Sequence, residues 1–224
     1  DEVLIPAPYW VSYPDMVTLN DGIPKIIVCD EESGFKITAE NLEKNITSKT
    51  KWLMLNSPSN PTGSMYTKEE LQQLGSVLEK YTNVYILSDD IYEKIVYGDN
   101  KFSTIAEVCP SLKERTLTMN GLSKSHCMTG WRVGYAAGPK NIIAAMNKVQ
   151  SQNISSTSSI SMAASVEALN GDQSFIDSNN KSFLRRRDFV VKNLNEAEGL
   201  SCRTPEGAFY VFPSCKGVIG KTTP

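Results

Sequence analysis

Histidine is almost absent from this chain of 224 residues: His126 stands alone. Without a second imidazole, a histidine-ligated zinc site is poorly supported, and a Ser-His-Asp hydrolase no better. No apolar run approaches the roughly 18 residues of a membrane-spanning helix, and no signal-peptide pattern is read. No basic block occurs and the net charge is only −2, which argues against nucleic acid as a partner. The five cysteines, Cys29, Cys109, Cys127, Cys202 and Cys215, are odd in number and far apart. They read as reduced thiols of a cytosolic protein rather than a disulfide framework. An initiator Met is missing, and DEVLIPAPYW opens on what looks like the edge of a buried strand. Both ends are expected to be interruptions of a longer protein.

What is present is a regular alternation. Short apolar runs bounded by turn residues occur at VLI (3–5), KIIV (25–28), WLMLN (52–56), VYILSD (84–89), TLTMN (116–120) and VGYAAG (133–138). Their length and β-branched content predict strands. Between several of them lie helical patterns. TKEELQQLGSVLEKY (67–81) begins with Thr67 and Glu70 in capping-box spacing, and Leu71, Leu74 and Leu78 make one buried stripe. Further helices are predicted over 139–152, where Pro139 suits a first turn, over 159–171, ending at Gly171, and over 175–199. ISSTSS (154–159) reads as a helix-capping turn, with an approach to a neighbouring subunit's site as the alternative. Strand alternating with helix predicts an α/β fold, a mostly parallel sheet with helices on both faces. The first 198 residues form its body. Residues 199–224, with LSCRTPEGAFYVFPS, read as the first strands of a second, smaller domain.

Ligands of such sheets sit outside the carboxyl ends of the strands. Several polar groups fall there. WLMLN leads to Asn60 through NSPSNPTG; VYILSD ends in Asp89, with Tyr92 next; TLTMN leads through Gly121 to Lys124; Arg132 precedes the following strand; and VLI leads to Pro8 and Trp10. Each has an ordinary explanation taken singly. Asp89 would be a satisfied turn carboxylate, Lys124 a solvated lysine, Arg132 a salt-bridge partner, Asn60 a turn residue before proline, and Trp10 a core or interface residue. The combination and its order carry the signal.

NSPSNPTG, SDDIYE, NGLSK and MTGWRVGY, in that order, resemble the signature of class I aminotransferases, pyridoxal-phosphate enzymes of the aspartate aminotransferase fold. PAPYWVSYPDMV resembles the prokaryotic branch, and the likeness runs from Pro6 to about Phe212. It implies the large domain of a fold type I enzyme, incomplete at its N-terminus, with pyridoxal 5′-phosphate as cofactor. By the same resemblance Lys124 supplies the amine that holds the cofactor's aldehyde and moves the substrate's α-proton. Asp89 keeps the pyridine nitrogen protonated by charge pairing. Asn60 and Tyr92 donate to the ring oxygen. Arg132 binds the phosphate with a planar fork better suited than a lysine ammonium. Trp10 stacks on the ring, and Met128 and Trp131 read as packing residues.

The implied activity is ping-pong transamination between an amino acid, aspartate first, and a 2-oxo acid such as 2-oxoglutarate, by a cytoplasmic homodimer when full length. Shared cofactor contacts leave other reactions open: an aromatic or prephenate transaminase, a cysteine-conjugate β-lyase, or a non-catalytic sensor domain of a transcription regulator. The chain also departs from the pattern. Many relatives carry a hydroxyl residue where Gly121 stands, so Ser123 or backbone would have to replace one phosphate contact. The substrate-carboxylate arginine has no match here. Arg203 does not fit by context, and Arg185–Arg187 read as a solvated helix face.

Overall fold

A computed structural model describes residues 1–221. Six strands, β1 (Glu2–Ala7), β2 (Ile23–Val28), β3 (Thr50–Asn56), β4 (Tyr85–Asp89), β5 (Thr116–Gly121) and β6 (Gly134–Ala137), form one sheet in the order β2-β1-β3-β4-β5-β6. Every pairing is parallel except β5 with β6. All six predicted strands are present. The register aligns Asn56 with Asp89 and Asp89 with Met119, so the carboxyl ends of β3, β4 and β5 make one rim.

Side chains alternate across the sheet. Leu4, Leu53, Leu55 and Ile86 join the larger core, which α2 (Ala39–Asn45), α3 (Lys68–Leu78) and α4 (Ile105–Val108) close through Leu42, Leu71, Leu74, Leu78 and Ile105. On the opposite face Val3, Ile5, Trp52 and Met54 pack on Tyr13 and Val17 of α1 (Ser12–Thr18). Helix α3 forms for the reasons its sequence gives. Thr67 accepts from the Glu70 amide at 3.2 Å, and Glu70 returns a bond from the Thr67 amide at 2.8 Å. A carboxylate there also suits the positive end of the helix.

The later helices, α5 (Lys140–Asn153), α6 (Ser159–Asn170) and α7 (Ser174–Glu196), match the predicted segments to within a few residues. They are less enclosed. Helix α5 buries no residue, and Ile160, Met162, Val166 and Leu169 of α6 are exposed. Ser158 takes the N-cap position of α6, with no side-chain cap bond. Among the described residues, no helix is long and apolar enough to cross a membrane.

The segment after Gly199 corrects an expectation. GAFYVF forms no strand; among residues 199–221 the regular structure is limited to a short 3-10 turn, Lys216–Val218, and two isolated bridges, Val96 with Gly207 and Ser201 with Ser214. The backbone groups that a strand would use are taken by two loops. Glu206 and Gly207 both donate to the Gly63 carbonyl, and Ala208 donates to that of Ile95. Residues 222–224, the last of the expected second domain, lie outside the described residues.

Candidate active site

Above the rim lies a cavity of about 310 Å³, and its wall gathers every residue singled out from the sequence: Trp10, Asn60, Asp89, Tyr92, Lys124 and Arg132. Asp89 is the last residue of β4, and the others come from the loops after β1, β3, β4 and β5. Parallel strands bring these loops together because each crossover returns the chain to the same end of the sheet.

Asp89 is 8% exposed. The Tyr13 hydroxyl donates to its Oδ2 at 2.6 Å, and the Ile91 amide to Oδ1 at 3.3 Å. Burial raises its pKa, against these two bonds, which lower it. Tyr13 was not singled out as a site residue in the sequence. Burial, then the charge and hydrogen bond of Asp89, push its phenol far above the ordinary range, so it remains a donor. Trp10 meets the Tyr13 ring edge-on, with centroids 5.5 Å apart, and presents its indole to the cavity.

Asn56 fixes the loop after β3. Its amide donates to the Asp89 carbonyl at 2.9 Å, and its oxygen accepts from the Asn60 backbone at 2.8 Å. Tyr92 is buried beside Asn60, and its hydroxyl lies 2.5 Å from that of Tyr210. Tyr210 and Phe209, from the segment expected to be a strand, back Tyr92 from outside the cavity lining, and sequence reading missed both. A helix or strand period gives no hint of them, because loop contacts place them.

The Lys124 Nζ lies 5.9 Å from the Tyr92 ring centroid and 5.8 Å from that of Phe209. Among the described residues, no carboxylate pairs with it. Arg132 sits at the cavity mouth with φ 54°, a left-handed backbone that few non-glycine residues adopt. It donates to the Thr129 carbonyl at 2.9 Å, and Ser123 and Thr129 join the wall beside it. Gly121 has a physical reason to lack a side chain. A Cβ there would meet the Val133 carbonyl oxygen at 3.0 Å and Gly134 Cα at 3.3 Å.

Two packing assignments change. Trp131 is 43% exposed rather than packed. Arg187 is not solvated: it donates to the Pro205 carbonyl, pairs with Asp188 and stacks 5.1 Å from the Tyr97 centroid. Arg203 is occupied by Glu206.

The donor set could hold a small aromatic cation that carries a carbonyl and an anionic group. It offers a buried carboxylate, phenol and amide donors, a free amine and a guanidinium around one cavity. The family model of aminotransferase class I and II matches residues 1–221. The chain belongs to this family. An aspartate/prephenate aminotransferase of Cereibacter sphaeroides is 56% identical over 223 residues, covering 100% of this aminotransferase chain and 56% of the relative. The crystal structure of the aspartate aminotransferase from Rhizobium meliloti superimposes with a TM-score of 0.98 at 55% identity, covering 100% of this chain and 56% of that one. An aromatic aminotransferase from Pyrococcus horikoshii gives 0.91 at 39% identity, covering 95% and 57%. The chain thus spans about half the length of these relatives.

Proposed function

We propose that the full-length protein is a pyridoxal-phosphate-dependent transaminase that moves the amino group of aspartate to a 2-oxo acid such as 2-oxoglutarate. The observation that carries this reading is the convergence of Lys124, Asp89, Tyr92, Asn60, Arg132 and Trp10 on one cavity. Pyridoxal phosphate fits this wall: a carboxylate denied water gains most from a cationic ring nitrogen. When bound, the cofactor supplies an electron sink that makes the α-proton of an amino acid acidic.

The chain's own residues then divide the work. Lys124 anchors the aldehyde and, once displaced by the substrate amine, carries the α-proton at Nζ as base and then acid. Asp89 stays ionised against the ring nitrogen, with Tyr13 and the Ile91 amide holding its two oxygens. Asn60 and Tyr92 steady the ring oxygen. Arg132, with Ser123 and Thr129 nearby, takes the phosphate. Trp10 covers the ring face and limits water.

Residues 1–198 serve as the cofactor-binding body, and 199–224 begin a second unit, which reaches Tyr92 through Phe209 and Tyr210. The names of the relatives support aspartate as donor and prephenate as a further acceptor, and a homodimer is the expected assembly. The test is an amino-donor and oxo-acid panel on the full-length protein. Aspartate with 2-oxoglutarate should give parallel double-reciprocal lines, the mark of a ping-pong exchange. Keto-acid release that needs no acceptor would overturn transamination in favour of elimination.

A further inference from the structure

Tyr210 sits outside every motif that the sequence offers, yet its hydroxyl is 2.5 Å from that of Tyr92. The contact is held from both sides. Gly63, in the loop that carries Asn60, accepts from Glu206 and Gly207 through one carbonyl. Ala208 is pinned to Ile95, and Tyr97 to Glu206 and Ala208. Tyr92 itself is 3% exposed, with Phe209 and Tyr210 edge-on to its ring. The titratable groups that face it are Tyr210 from this segment, Asp89 from β4, Tyr13 from α1 and Lys124 from the loop after β5.

Two phenols in contact share one proton between their oxygens, and either can donate. An anion in the cavity removes that freedom. A phenolic ring oxygen draws the Tyr92 proton toward itself, which leaves Tyr210 as the donor to Tyr92. The geometry points to Tyr210 as a positioning residue that completes a relay, Tyr210 to Tyr92 to the cofactor's ring oxygen, and so sets the strength of Tyr92 as a donor. This rests on the proposed cofactor reading. Each bond in such a chain polarises the next, by roughly 10–30%.

The relay has a sign. With pyridoxal phosphate held on Lys124, the proton at Nζ would compete with the Tyr92 hydroxyl for the ring oxygen. A stronger Tyr92 donor therefore favours the deprotonated form and lowers the midpoint of the cofactor's absorbance–pH curve. In the full-length protein loaded with pyridoxal phosphate, Tyr210→Phe keeps the ring packing and should raise that midpoint by about 0.3 pH units. Tyr92→Phe should raise it further. Adding Tyr210→Phe to Tyr92→Phe should then shift nothing more, because the second phenol acts only through the first.

A Tyr210→Phe midpoint equal to wild type, or an equal shift in both backgrounds, would overturn the relay. Equilibrium dialysis of pyridoxal phosphate separates the two levels. A wild-type protein that takes up no cofactor overturns the function itself, whereas a loaded wild type beside an unshifted Tyr210→Phe overturns the relay alone.

Discussion

At the residue scale the site depends on charges whose partners are specific. Lys124→Ala should abolish the absorbance of lysine-bound cofactor and nearly all turnover, and retention of both would exclude Lys124 as the anchor. Asp90, next to the site, makes a different prediction. It is 3% exposed, accepts from Ser88 at 2.7 Å, and burial lifts its carboxyl from 3.8 to about 6. A raised acid favours the folded state while protonated. Its contribution is full below pH 3.8 and is lost as pH rises toward about 6. At about 1.4 kcal/mol per unit the loss approaches about 3 kcal/mol. Asp90→Asn should therefore gain stability relative to wild type as pH rises through that window, read by urea denaturation at several pH values. A constant difference would show that the carboxyl is not raised.

At the element scale, the regular parts were legible and the loop contacts were not. Helix α3 announced itself through Thr67, Glu70 and its leucine stripe. Thr67→Ala should cost about 1 kcal/mol in urea unfolding, and no change would mean the capping box is idle. The parallel strands were readable because each carries a short apolar run bounded by turn residues. The rim residues followed from strand ends. The segment 205–212 could not be read this way. Its sequence has strand character, but Gly63 and Ile95 bind its amides first. Gly63 makes this possible with φ +68°, and a Cβ there would stand 2.5 Å from Pro205 Cβ and 2.8 Å from the Gly207 oxygen. Gly63→Ala should thus destabilise by more than the roughly 1 kcal/mol of an ordinary glycine substitution. It should also raise the Kd for pyridoxal phosphate several-fold, because Asn60 and Tyr210 depend on the same loop. A variant as stable as wild type would contradict the close approach. Tyr13 and Asn56 escaped notice for a related reason: a tyrosine or asparagine that reaches a carboxylate or carbonyl far along the chain leaves no periodic trace.

At the scale of the whole molecule, the cavity on the proposed reading has few cations for a dicarboxylic substrate. Arg132 is the single arginine lining it among the described residues. Arg115 is spent on the carbonyls of Leu78, Tyr81 and Val84, and Arg187 and Arg203 are paired. A dicarboxylic substrate needs further cationic partners. The 224-residue chain should therefore transaminate aspartate at least about a hundred-fold more slowly than the full-length protein, since an unpaired carboxylate forfeits roughly 3 kcal/mol. Equal rates would place the substrate clamp within this chain. The most direct measurement concerns the anchor. The full-length protein should be incubated with pyridoxal phosphate, reduced with borohydride, digested and sequenced by mass spectrometry. A single pyridoxyl-phosphate adduct on Lys124 is the expected result; an adduct on any other lysine, or none, would contradict it.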